Sequence, residues 1–289
     1  MNPAIESIRL EIDGQHVTGI RQRDVEQSDQ PTMLCTHGWL DNANSFVPLM
    51  PYLPAFDLVA IDLPGHGYSD PLEAGYSLHE MTYQLSRVMD ALAWDNCHLL
   101  GHSLGAGLTM MLAIAQPERI QSLTMIESCG PLSEPAEKLP ERLGRALQDR
   151  RDMTKFKSRI YASKDEAVAT RLRAAKMHKA SASLIINRQV ENTEGGYQWR
   201  FDARWRMASP QYLTEEQVLA ILASLECPVL NVVAEDGYLT NRPETEGRLR
   251  SLQHGESVVL SGNHHLHMDT PEPVAAAINR FLKTTPALY

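Results

Sequence analysis

Positive charge is in deficit along this chain: 27 Lys and Arg stand against 36 Asp and Glu, a formal net charge of −9. Binding a nucleic-acid backbone needs a basic face that neutralises phosphates, so no nucleic-acid partner is expected. Long apolar runs are missing too, and no stretch reaches the length that spans a bilayer. The opening segment MNPAIESIRLEID lacks the basic-then-apolar order of a secretory leader. A cytoplasmic protein with no membrane partner is expected. Cysteine is scarce: Cys35, Cys97, Cys129 and Cys227 are dispersed with no C-x-x-C pair. That spacing argues against a zinc site or a disulfide framework and leaves small buried thiols in a reducing compartment. Internal repeats and low-complexity tracts are also absent.

What remains is an ordinary folding composition. Hydrophobic residues at 43% and charged residues at 22% exclude a disordered chain. Its 289 residues suffice for one large α/β domain with an insertion, or for two modest domains. Ser7 to Gly19 reads as a hairpin turning at Asp13-Gly14, and Pro31 to Thr36 and Phe56 to Asp62 read as buried strands. Leu78 to Trp94 has apolar residues at helical spacing. Further strands are expected at Cys97 to Gly101, Ser122 to Ile126, Val229 to Ala234 and Ser257 to Leu260. Strands that alternate with helices, several of them continuously apolar, predict an α/β fold with a mostly parallel sheet covered on both faces.

Between about Leu132 and Thr214 that rhythm breaks into Arg-, Lys- and Ala-rich sequence with helical spacing, and only a polar β-like patch at Gly195 to Phe201. Residues 134–214 hold 17 Lys and Arg against 10 Asp and Glu, leaving 10 and 26 in the remainder. A basic helical cap over 132–213 is expected, inserted into an acidic core of residues 1–131 and 214–289. Three uses stay open for its charge: attraction of anionic substrates, docking on the acidic core, or a solvated helical face.

Residues 101–105 read Gly-His-Ser-Leu-Gly, between the apolar run Cys97-His98-Leu99-Leu100 and the small-residue stretch LGAGLTMMLAIAQP. Strand, glycine-flanked serine and helix are the parts of a nucleophile elbow, in which the serine sits on a strained turn that admits only small neighbours. Ser103 is therefore the expected nucleophile. The strand Met33 to Thr36 runs into His37-Gly38-Trp39-Leu40, where a glycine at the strand end lets the next amide point into the crevice. The Trp39 and Leu104 amides are the expected oxyanion hole. His37 reads as a turn-holding residue, with a chemical role as the alternative.

Together the HGW after a strand, DLPGHGYSD at 62–70, GHSLG, and SGNHHLHMDTPEPVAAAINRFL near the end resemble the α/β-hydrolase superfamily. HGWLDNANSF and GNHHLHMDTP are most similar to its serine hydrolase-like branch, related in layout to haloalkane dehalogenases and epoxide hydrolases. The resemblance implies an eight-stranded, mostly parallel sheet. It also implies that the catalytic histidine precedes an acidic residue by five positions with Pro-Glu soon after; Asp269 and Pro271-Glu272 assign this to His264. His265 then takes a site that is usually apolar, and His267 one that helps fix the loop. The rival for H-H-x-H is a metal cluster, weakened by the lack of a carboxylate or cysteine arranged with it.

For the triad acid the commonest family pattern implies a carboxylate in Ala234-Glu235-Asp236-Gly237-Tyr238, but glycine occupies the matching position and Asp236 comes one residue early. Some haloalkane dehalogenases carry the acid after the preceding strand, which here reads Leu123 to Gly130 with Glu127 at its end. Glu127 is the expected acid and Asp236 the alternative. No metal or organic cofactor is required. A serine nucleophile disfavours dehalogenase and epoxide-hydrolase chemistry, whose alkyl-enzyme ester needs a carboxylate nucleophile.

Leu40, Phe46 and Cys129, along with Trp39 and Leu104, are expected to border the acyl pocket, with plain core packing as the alternative for each, and Asp41 and Asn44 to meet polar substrate groups. Asp62 and His66 read as organisers of their loop, and Trp199 and Trp205 as cap aromatics near the crevice. The expected activity is that of a carboxylesterase on a small-molecule ester with a small to medium acyl group. A thioesterase, amidase, lactonase or C–C bond hydrolase would use the same residues, and a non-catalytic binder of hydrophobic ligands is the reading from another class. Oligomeric state is not encoded in these features.

Overall fold

The computed structural model describes residues 4–27, 29–156 and 159–284, so Met1, Asn2 and Pro3 of the opening segment lie outside the described residues. Strands β1 (Ile5–Ile12) and β2 (Gln15–Gln22) form the expected hairpin, with Asp13 and Gly14 at φ 50° and 79° in the turn. β3 (Thr32–Thr36), β4 (Asp57–Ile61), β5 (Cys97–His102) and β6 (Ile120–Ile126) follow, and β10 (Val229–Asp236) and β11 (Gly255–Asn263) complete an eight-stranded sheet. Its order is β1-β2-β4-β3-β5-β6-β10-β11, parallel from β4 to β11 and antiparallel at the β1 and β2 edge.

Alternation along the central strands sorts side chains onto two cores. On β3, Leu34 faces one core while Met33 and Cys35 face the other. The first core is closed by α1 (Leu78–Ala91), α2 (Leu104–Ala115) and α6 (Glu215–Ala223), the second by α9 (Pro271–Thr284) and two short turns at Ala43–Phe46 and Met50–Tyr52. Phe46 is fully buried in the second core, and Cys129 is buried in the first. Two smaller helices, α7 (Thr245–Ser251) and α8 (Leu266–Asp269), flank β11. Among the described residues no helix is long and apolar enough to cross a membrane.

Between β6 and α6 the chain leaves the sheet and returns to it. Its two ends meet at a bridge between Ser133 and Leu213, where the Glu134 amide donates to the Leu213 carbonyl at 3.0 Å. The insertion pairs the β-like patch at Gly195 to Phe201 with two further strands that were not expected. Beside α3 (Leu139–Arg151), α4 (Lys164–Ala174) and α5 (Lys179–Gln189) it holds a small antiparallel sheet of β7 (Ile160–Tyr161), β9 (Gly196–Trp199) and β8 (Val190–Thr193). Its hairpin turn needs positive φ at Gly195 and Gly196, and a side chain at Gly196 would collide with the Tyr161 carbonyl oxygen at 2.2 Å.

From β3 the chain steps to β4 on one side, then crosses to β5 on the other. In open α/β sheets such a reversal of strand order opens a crevice at the carboxyl ends of the strands. The loops after β3 and β5, which carry Trp39 and Ser103, therefore face each other across it.

Candidate active site

Ser103 sits between β5 and α2 with φ 51° and ψ −116°, a strained conformation for a residue with a Cβ. The glycines on either side are there because α2 packs directly on the sheet. A Cβ on Gly101 would lie 2.3 Å from the Ala106 Cα, and one on Gly105 would lie 2.2 Å from the Thr36 carbonyl oxygen. The turn is pinned by the Ser103 amide, which donates to the Ile126 carbonyl at 3.0 Å.

Ser103 Oγ lies 3.0 Å from His264 Nε2, and His264 Nδ1 lies 3.1 Å from Glu127 Oε2. Glu127 is buried at the end of β6, again with positive φ (54°). Its carboxylate accepts from the Ala234 amide at 2.7 Å and the Tyr238 amide at 2.6 Å. Those two donors hold an acceptor-only carboxylate against His264, which assigns the ring proton to Nδ1 and leaves Nε2 free to accept from the serine hydroxyl. A Cβ on Gly237 would fall 2.4 Å from the Glu127 carboxyl carbon. Glycine thus stands at 237 because the glutamate from the neighbouring strand fills the space where a side chain would begin. Asp236 points elsewhere: it is exposed and pairs with Lys176 at 3.4 Å.

The turn after β3 supplies the opposite wall. Leu104 is the first residue of α2, so its amide has no acceptor within the helix. Trp39 and Leu40 line the crevice, and the Trp39 indole donates to the Trp205 carbonyl at 2.8 Å. His37 and His66 hold the turn from behind. His37 donates through Nδ1 to the Gly38 carbonyl (2.8 Å) and accepts the Leu63 amide at Nε2 (3.0 Å), while His66 Nε2 accepts the Leu40 amide at 3.3 Å. Asp62 organises the next loop: fully buried, it accepts from the Ala43 and Tyr68 amides and the Thr18 hydroxyl.

Several expected pocket contacts lie elsewhere. Phe46 faces the second core, 5.7 Å from the ring of His267, because its short helical turn aims it under the sheet. Cys129 is buried in the first core, and its carbonyl accepts from Arg248. Asp41 does line the crevice, but it is buried in an ion pair with Arg171 of α4. Asn44 donates to the Leu184 carbonyl and so fastens α5. Trp199 lines the crevice, whereas Trp205 stacks on Tyr76 at 4.3 Å and donates to the Pro64 carbonyl.

Arg171 and Arg188 were not singled out in the sequence. Arg171 reaches Asp41, the Leu40 carbonyl (3.3 Å) and His265 (3.4 Å), and Arg188 grips Asp62 through Nε at 2.8 Å and 2.9 Å. Burial works to raise the Asp41 pKa, but the charge of Arg171, aided by His265, outweighs it and holds the carboxyl well below the usual range. The only early signal was their residue type, since each partner lies about 130 positions away in the chain.

The three tail histidines diverge. His264 joins Ser103 and Glu127, His265 turns to Asp41 at 3.4 Å, and His267 packs against His102 with ring centroids 4.2 Å apart. Asp41, His102 and His265 do gather ligand-type atoms within 4.8 Å of one another, but the Arg171 guanidinium already supplies the cation for that group.

Burial lowers the pKa of His37, His66, His102 and His267, the last to about 3. Each is neutral in the fold and takes a proton more readily when unfolded, so the unfolded state gains protons first as the pH falls. Stability from these groups is then complete above about pH 6.5 and declines as the pH falls below it, for His267 as far as about pH 3 and by at most about 1.4 kcal/mol per pH unit. His267→Met is expected to flatten that decline. Urea midpoints at pH 7 and pH 5 that differ as much in the variant as in the parent chain would contradict it.

Geometry of this kind has known counterparts. The sequence pattern of the alpha/beta hydrolase fold family matches residues 31–271. Over 271 residues the chain is 32% identical to a probable serine hydrolase of Drosophila melanogaster, a match covering 88% of this chain and 82% of that one. A hypothetical protein of Pseudomonas aeruginosa PAO1 is 36% identical and superimposes with a TM-score of 0.89, over 96% of this chain and 98% of its own. A thioesterase domain from the curacin biosynthetic pathway is 28% identical with a TM-score of 0.82, over 96% and 99% of the two chains. The chain belongs to the α/β-hydrolase fold family. Within that family it is a serine hydrolase.

Proposed function

We propose that this serine hydrolase is a carboxylesterase that cleaves small to medium acyl esters through an acyl-enzyme on Ser103. The observation that carries the reading is the unbroken chain from Ser103 Oγ through His264 to Glu127, opening into a crevice of about 650 Å³. That volume suits a small-molecule substrate. His264 Nε2 takes the Ser103 proton as Oγ attacks the acyl carbon, and Glu127 fixes the tautomer and stabilises the imidazolium. The Trp39 and Leu104 amides bind the oxyanion, and His264 returns the proton to the leaving alcohol. Water then attacks the acyl-enzyme with His264 again as base, releasing the acid and restoring the serine. Neither a metal nor an organic cofactor enters these steps.

Residues 132–213 act in this reading as a cap, with Tyr161, Trp199 and Phe201 as apolar walls for the acyl chain. The four buried, unpaired cysteines support a cytoplasmic setting. The thioesterase relative favours one second reading, a thioester substrate cleaved by the same residues. A panel of p-nitrophenyl esters and matched thioesters of graded acyl length tests both. The expected result is faster turnover of the oxygen esters, with a decline for long chains. Preference for the thioesters would replace the esterase reading with the thioesterase one. Absence of both turnover and fluorophosphonate labelling in folded protein would favour a non-catalytic binder.

A further inference from the structure

The crevice above Ser103 is charged in a way that ester cleavage itself does not need. Lys155, Arg159, Arg171 and Arg206 all line it, and all four come from the insertion. The lining holds one carboxylate, Asp41, which is committed to Arg171. Lys155 and Arg159 have partners set back from the lining, Asp149 at 2.8 Å and Glu166 at 2.6 Å. Arg206 has none: among the described residues no carboxylate lies within ion-pair reach of its exposed guanidinium. It ends a short turn, Ala203–Arg206, that packs against the Met153–Phe156 turn carrying Lys155.

Like charges brought together in a half-enclosed space repel one another, and the low-dielectric walls strengthen the effect. Trp39, Trp199 and Phe201 provide such walls. An anion entering there relieves the repulsion and gains forked hydrogen bonds from a guanidinium. The remainder of the chain is acidic, so the basic insertion and the crevice mouth it lines are a local exception in sign.

We infer that this crevice contains an anion subsite centred on Arg206 and supported by Lys155, and that the natural substrate carries an oxyanion group away from its scissile carbonyl. The chemistry shared by the candidate groups is a carboxylate, sulfate or phosphate within reach of a guanidinium and an ammonium. Neutral acyl esters are then secondary substrates. This inference rests on the esterase reading for its turnover assay, and a binding arm separates the two.

The experiment compares p-nitrophenyl hemiglutarate with its neutral methyl ester, which places the charge on the acyl side, and a para-sulfonated phenyl ester with its neutral parent, which places it on the leaving side. At least one anionic member is expected to exceed its neutral counterpart about tenfold in kcat/KM, mostly through KM, with the advantage shrinking as salt rises. Arg206→Gln is expected to remove that preference while leaving the neutral esters unchanged, and Arg206→Lys to restore part of it. Should neither pair show an anionic preference, or should Arg206→Gln slow charged and neutral esters alike, the subsite is refuted. Calorimetry of glutarate, sulfate and phosphate with the Ser103→Ala protein identifies the preferred anion without turnover. Binding that Arg206→Gln abolishes upholds the subsite even if no ester is cleaved, and no binding by any of the three, with no ester cleaved, refutes it.

Discussion

Ser103→Ala is expected to abolish fluorophosphonate labelling and to lower kcat by about 10⁶-fold, and Glu127→Gln to lower it by about 10³- to 10⁴-fold with the serine still in place. The second effect follows from the two backbone donors at 2.7 Å and 2.6 Å that converge on the Glu127 carboxylate. A glutamine amide cannot accept from both of those amides and also accept from His264 Nδ1, because one of its two terminal atoms is itself a donor. The imidazole is then driven toward the wrong tautomer, with its proton on the nitrogen that must receive the serine hydrogen. Asp236→Asn removes only an exposed carboxylate paired with Lys176 and is expected to leave kcat near that of the parent chain. Single-turnover and steady-state kinetics on one p-nitrophenyl ester decide the matter. A collapse in Asp236→Asn with Glu127→Gln unaffected would move the acid to the later strand.

Arg188→Met is expected to destabilise the protein by about 3–5 kcal/mol, because it leaves the Asp62 carboxylate charged and unpaired in the interior. Asp62 is fully buried, and Arg188 meets it with contacts from 2.7 Å to 2.9 Å. The amides of Ala43 and Tyr68 and the Thr18 hydroxyl remain as donors, which is why the loss stays below the full cost of a bare buried ion. For a chain of this size the corresponding fall in Tm is on the order of 10 °C. Asp62→Asn added to Arg188→Met is expected to recover part of the loss, since the amide carries no charge. Thermal melts of the two single variants and the double variant measure the coupling. A fall of less than 2 °C in Arg188→Met would show that the pair contributes no more than an exposed one.

Features that depend on local order in the chain were legible in the sequence. Ser103 was marked by glycines that the close packing of α2 on the sheet demands, and the strands by apolar runs buried on both faces. Glu127 could be weighed against Asp236 because glycine at 237 left the later position without a side chain. Features set by distant partners were not legible. Arg171 and Arg188 were counted as part of a basic cap, yet their roles are fixed by Asp41 and Asp62 on the far side of the sequence. Asp41 and Asn44 looked free to meet a substrate because nothing nearby in the chain claims them, and α4 and α5 do so only after folding. Phe46 and Cys129 were misplaced for a related reason: closeness to a catalytic loop in sequence does not say toward which face of the sheet a side chain turns.

The insertion is fastened to the core by Arg171 on Asp41 and Leu40 and, from the core side, by Asn42 donating to Ile185 and Gln189, which bears on what exchanging it would do. Grafting a foreign segment in place of residues 132–213 would do more than change the ligands admitted. It would strand Asp41 and Asp62 without their counterions and free the turn after β3 from the Arg171 contact to the Leu40 carbonyl. A transplant that keeps the buried carboxylates paired therefore has to exchange positions 41 and 62 along with the graft.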